Sequence, residues 1–88
     1  MKVLTIASPL SFSMTLLDGQ VIETVGDAAA YFGTLSPDQL DLYHWQVAVR
    51  MLDHALDQPT YLMTATISLQ SALVLDRLLV WPLTVGGN

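Results

Sequence analysis

This chain has no cysteine. That absence removes disulfides, thiolate nucleophiles and cysteine-bound zinc together. In so small a domain it favours a reducing, cytoplasmic setting. Basic residues are nearly as scarce. Lys2, Arg50 and Arg77 are the three in 88 residues, against eight acids, for a formal charge of -5. Contact with a phosphate backbone needs clustered Lys and Arg, so this composition argues against direct nucleic-acid binding. An acidic surface still fits a basic protein, including one that handles nucleic acid.

Long apolar runs are missing too. Stretches such as Ala72–Leu75 and Leu78–Val80 fall far short of the ~20 residues a membrane span requires. The opening M-K-V-L-T-I-A-S-P-L-S-F faintly resembles a signal peptide. Pro9 and the interleaved Ser and Thr interrupt its apolar run, so no signal peptide is expected. No G-x-G-x-x-G, Walker or G-x-S-x-G pattern occurs, which removes the common phosphate loops and the nucleophile elbow.

What is present pulls in two directions. Hydrophobic residues make up 52% of the chain and charged residues only 12%, roughly half the usual charged share. One domain of 88 residues buries only a modest core. The surplus apolar groups are therefore expected to face a protein partner or a second copy.

Along the chain, Lys2 to Ala7 reads as an edge strand or an ordered arm. Leu10, Phe12, Met14 and Leu16 then alternate with Ser11, Ser13 and Thr15, the period of a half-buried strand. Asp18-Gly19 favours a two-residue hairpin turn. Gln20 to Val25 returns as the second strand. With Leu17 paired to Gln20, Leu16 faces Val21 and Phe12 faces Val25. That register sets Glu23 beside Met14 on the apolar face, which requires an open edge or a bulge.

Thr24 and Asp27 form a capping signature for a short helix, Val25 to Phe32. Its three alanines allow close approach to the sheet. Gly33 fits a left-handed residue after its end. The longest helix follows. Ser36 is its N-cap, Pro37 its first residue, and Gln39 completes a capping box. Asp38 and Asp41 lie near the positive end of its dipole. Pro59 ends it near Asp57. Its apolar arc, centred on Ala48, Leu52 and Ala55 and including Trp45, marks a central helix between the sheet and a third helix. That third helix runs from Tyr61 to about Val80, stopped by Trp81-Pro82, and 83–88 is a tail. It shows two apolar arcs, one with Leu62, Ala65, Leu69 and Ala72, the other with Met63, Ile67, Val74 and Leu78. Thr66, Gln70 and Arg77 separate them on one side. A helix buried on one side needs one stripe; two mean a sandwiched helix or a partner. The order β-β-α-α-α defines an α+β domain over residues 1–88, helices on one face of a two-stranded antiparallel sheet, three-stranded if the arm pairs.

This arrangement resembles a small family of uncharacterised bacterial domains, found mainly in rhizobia and related alphaproteobacteria. The likeness spans roughly residues 8 to 80. It rests on the strand pair around Asp18-Gly19, on Thr24, Val25, Asp27, Ala28 and Ala29, on Ala48, Leu52, Ala55 and Leu56, and on Ala65 and Ala72. The family commonly has Cys at the position of Leu52, Arg at that of Thr66, and a Trp after the first helix that is missing here. The family has no established activity, so the resemblance implies a fold and an organism group but no catalytic residues.

Candidate sites are few. Asp41 and His44 are spaced three apart, as are His54 and Asp57; a carboxylate beside an imidazole can orient a base or metal ligand. The two histidines lie ten positions apart with no H-x3-H pair, so both read as structural. Asp53 and Asp57 share a polar face with Gln46 and Arg50, the pattern of a solvated surface. No catalytic residue, metal site or cofactor is expected. Met63, Ile67, Val74, Leu78 and Trp81 are the interface candidates, Trp being enriched at binding hot spots. The chain is expected to be a non-catalytic interaction module that associates with itself. The alternative is a small acidic inhibitor of the phage-encoded, anti-CRISPR-like kind, directed at a nucleic-acid-processing enzyme.

Overall fold

The computed structural model describes residues 4–78. Its order is β1 (Pro9–Thr15), β2 (Val21–Thr24), α1 (Val25–Phe32), α2 (Pro37–Leu40), α3 (Tyr43–Asp57), a 3₁₀ turn (Pro59–Tyr61) and α4 (Leu62–Leu75). This is the expected α+β order, with β1 and β2 pairing antiparallel. No helix among the described residues is long and apolar enough to cross a membrane.

The hairpin differs from expectation by one residue. Met14 pairs with Ile22 and Thr15 with Val21. The Leu16 amide donates to the Gln20 carbonyl at 2.8 Å, and the Gly19 amide to the Leu16 carbonyl at 2.9 Å. The loop is thus Leu17-Asp18-Gly19, with Gly19 at φ 91°, a three-residue turn with a glycine bulge rather than a two-residue one. Asp18 spends its carboxylate on the Gln20 amide at 2.9 Å, which favours the longer loop. The shift brings Ile22 to the core, fully buried, and turns Glu23 outward. Between Pro9 and Met14 the register slips again.

The segment before β1 is an ordered turn, not a strand. The Thr5 amide donates to Ser8 Oγ at 2.9 Å, and the Ser8 amide to the Thr5 carbonyl at 3.0 Å. This arm caps α1. A helix start leaves its first amides without partners. Here Val25 donates to the Ser8 carbonyl and Gly26 to the Ile6 carbonyl, both at 2.9 Å, and Asp27 to Thr24 Oγ1 at 3.1 Å. The Asp27 carboxylate accepts from the amides of Thr24 and Glu23, completing the expected capping box. Gly26 must be glycine for this approach, since a Cβ there would lie 2.9 Å from the Ile6 oxygen. Gly33 departs from expectation: its φ of -66° is ordinary right-handed backbone.

The long helix expected from Ser36 is two helices. The Ser36–Gln39 capping box forms as expected. The helix then stops, and Leu42 turns extended, with ψ 138°. Its carbonyl accepts from the Trp45 and Gln46 amides to start α3 afresh. No glycine or proline marks this break. The new start turns Trp45 inward, with its ring beside those of Tyr31 at 5.8 Å and Phe32 at 6.2 Å.

The central helix is α4, not α3. It packs on β1 on one side and along α3 on another, whereas the main neighbours of α3 are α4, α2 and the 3₁₀ turn. The buried stripe of α3 is correspondingly narrower than its apolar arc. Trp45, Ala48, Leu52 and Ala55 are buried, but Val49 and Leu56 are exposed. Thr66 is fully buried rather than a polar divider on α4. Its hydroxyl donates to the Leu62 carbonyl at 2.8 Å and accepts from the Ser11 amide at 3.2 Å, which ties α4 to β1.

The last helix ends at Leu75, about a turn before the expected stop. Arg77 adopts φ 59°. The Leu78 amide reaches back to Leu73 at 2.9 Å and the Arg77 amide to Val74 at 3.0 Å. These two bonds close a Schellman motif, with Arg77 where glycine is usual. The Leu78 carbonyl then accepts from the Leu17 amide at 2.8 Å, fastening the end of α4 to the hairpin. The expected final turn through Val80 and the tail at 83–88 lie outside the described residues.

Candidate functional site: the outer face of α4 and its groove with α3

The helix α4 is fourteen residues long and carries no charged side chain. Its sequence, L-M-T-A-T-I-S-L-Q-S-A-L-V-L, packs Ala65, Leu69, Ala72 and Leu73 inward. The small alanines let the backbone sit close to its neighbours. The opposite face stays open. Met63 is 55% exposed, Ile67 46%, Val74 37% and Leu75 64%. At ~100° per residue these four fall within about 120° of the helix circumference. Tyr43 at the start of α3 is 78% exposed beside them.

Between the two helices runs an open groove of about 310 Å³. Tyr43, His44 and Val47 of α3 form one wall, and Ile67, Ser71 and Leu75 of α4 form the other. A neighbouring hollow of about 300 Å³ lies over Gln70, Ser71, Val74 and Leu75. A third of about 370 Å³, lined by Leu40, Gln46, Val49, Arg50 and Asp53, mixes apolar and charged groups. The first two meet along α4 at Ser71 and Leu75, where a small residue sits next to a large one.

The end of the groove is fixed by a polar cluster that sequence reasoning missed. Asp76 caps α4, and its two carboxylate oxygens take different partners. Oδ2 accepts from Trp45 Nε1 at 2.7 Å, and Oδ1 bonds His44 Nε2 at 2.9 Å. Trp45 is fully buried, so its indole N–H needs this acceptor. His44 and Asp76 keep about a fifth of their side-chain surface, 23% and 20%. A carboxylate at the negative end of a helix dipole is unfavourable by itself; two donors offset that here. Partial burial pushes the Tyr31 phenol above its ordinary value, and the carboxylates of Asp18 and Asp76 add to the shift. A buried tryptophan implies an acceptor, but nothing local points to an aspartate 31 positions away.

The expected pairs along α3 do not form among the described residues. His44 turns to Asp76 and leaves Asp41 exposed. His54 lies near the Tyr61 ring at 6.1 Å. Arg50 makes no ion pair among the described residues, where the His44–Asp76 contact is the one within range. No group of three or more potential metal ligands gathers among them either. Of the interface candidates, Met63, Ile67 and Val74 lie on the open face. Leu78 is half-buried against the core. Trp81 lies outside the described residues.

Comparison with protein-family models, curated proteins and solved structures found no match to this chain.

Proposed function

We propose that this chain is a small, non-catalytic protein-interaction module that works through the outer face of α4, with a second copy of itself as partner. One observation carries the reading. A fourteen-residue helix without a single charge leaves Met63, Ile67, Val74 and Leu75 open to water. A helix face that meets only solvent is normally polar. Clustered apolar exposure of this kind marks a contact surface.

A second reading, a small acidic inhibitor, draws on four exposed acids, Asp38 in α2, Asp41 just after it, and Asp53 and Asp57 in α3. Those acids would meet a basic enzyme on a different surface from α4. The test is a pair of variants. Met63→Lys with Ile67→Lys should remain folded and soluble but lose association, read as a halved mass by light scattering. Asp53→Asn with Asp57→Asn should leave that mass unchanged. If the acidic-face variant alone alters association, the α4 reading fails.

A further inference from the structure

Three of the eight acids are used by the fold. Asp18 holds the Gln20 amide, Asp27 caps α1, and Asp76 takes Trp45 and His44. Four of the other five, Asp38, Asp41, Asp53 and Asp57, lie exposed along α2 and α3. None is within ion-pair range of a base among the described residues. The fold gains nothing from the pair on α3. Asp57 ends the helix, at the negative end of its dipole, and Asp53 lies one turn before it. Like charges spaced four apart on a helix repel.

These acids border an apolar strip. Val49 and Leu56 are seven residues apart on α3, about 10 Å along its axis. They are 37% and 38% exposed, and Leu40 of α2 is 37% exposed. At ~100° per residue, Val49, Asp53 and Leu56 fall within about 60° of the circumference. Leu40 and Val49 line the hollow of about 370 Å³ together with Gln46, Arg50 and Asp53. The Gln46 side-chain amide reaches the Asp41 carbonyl at 3.4 Å, which sets Asp41 beside it.

An apolar strip bordered by carboxylates is complementary to an apolar strip bordered by cations. We infer that this face docks a basic amphipathic segment of a partner protein. An apolar side chain enters the hollow over Leu40 and Val49, and Lys or Arg side chains meet Asp41, Asp53 and Asp57. This rests on the acidic-face reading above and is independent of the α4 contact. Charge selects the occupant. A second copy carries the same acids and the same net charge of -5, so it is repelled here. A nucleic acid or an anionic membrane surface is repelled in the same way. Arg50 is the one base of α2 and α3, and its charge opposes the partner.

The probe is a fluorescein-labelled leucine–lysine peptide about four turns long, apolar on one helical face. The reference peptide replaces every leucine with alanine, which keeps the charge and the helix. Fluorescence polarisation with the full chain should show the leucine peptide bound about tenfold more tightly, the effect of burying one large apolar side chain. Asp53→Asn with Asp57→Asn should weaken its binding about fivefold without lowering the melting temperature, since no contact within the fold is lost. Arg50→Gln should strengthen it about twofold. Val49→Ser should erase most of the preference for leucine over alanine, whereas Met63→Ser with Ile67→Ser should leave that preference unchanged. Equal affinity for the two peptides would overturn the inference and leave the acidic-face reading standing. So would a preference lost in the α4 variant and kept in Val49→Ser. Failure of both peptides to bind would overturn the acidic-face reading and the inference together.

Discussion

Replacing Asp76 with alanine tests how α3 and α4 are held in register. The Trp45 indole N–H then loses its acceptor while the ring stays fully buried. An unsatisfied buried donor costs about 1–3 kcal/mol. Loss of the His44 contact adds at most about 1 kcal/mol, because both groups remain partly solvated. Removing an acid from a helix C-terminus returns about 0.3–1 kcal/mol. The net loss is about 2 kcal/mol, or roughly 8–16 °C in melting temperature for a domain of this size. Thermal unfolding followed by far-UV circular dichroism reads it. His44→Ala should cost less than about 1 kcal/mol by the same route. A cycle of Asp76→Ala with Trp45→Phe should show a coupling of about 1–2 kcal/mol. If Asp76→Ala melts within about 2 °C of the unmodified protein, the Trp45–Asp76 bond does not anchor α4 and the reasoning fails.

Two further outcomes follow from the caps. Arg77 holds a left-handed conformation that costs a non-glycine residue roughly 1–2 kcal/mol. Arg77→Gly should therefore stabilise the fold by about 1 kcal/mol, the greater freedom of unfolded glycine offsetting the rest. A lowered urea midpoint would contradict this. At α1, the amides of Glu23 and Thr24 hold the Asp27 carboxyl below its ordinary value of 3.8. A group with a depressed folded pKa contributes stability that is full above its unfolded value and lost as pH falls through the folded one. Asp27→Asn should thus be less stable than the unmodified protein at pH 7, with the difference shrinking below about pH 4. A difference that stays constant down to about pH 2 would refute the carboxylate's role as cap.

Local signals in the sequence mapped to structure at two caps and along β1, though not at the Asp18-Gly19 turn or at Gly33. Thr24 with Asp27 and Ser36 with Gln39 both form complete capping boxes. The alternation from Leu10 to Leu16 is a strand face, with Leu10, Met14 and Leu16 buried. Long-range features were not legible. The break at Leu42 has no breaker residue and comes with the inward turn of Trp45. The hairpin register, a local feature, also moved by one, because the Asp18 side chain took the Gln20 amide. Asp76 reads as one more surface acid until α3 and α4 are placed side by side. Thr66 reads as a polar divider until Ser11 arrives to donate to it. The open face of α4 was visible beforehand as a second apolar arc. Its groove was not, since Tyr43 and Val47 come from another helix.

Sedimentation equilibrium of the unmodified chain over a range of concentrations asks directly whether uncharged α4 faces bring two acidic copies together. A dimer of about twice 9.6 kDa should form at micromolar to high-micromolar concentration. Its association should strengthen as salt is raised, because screening relieves repulsion between two like-charged copies. A mass of 9.6 kDa that holds at every concentration, in low and in high salt, would contradict it.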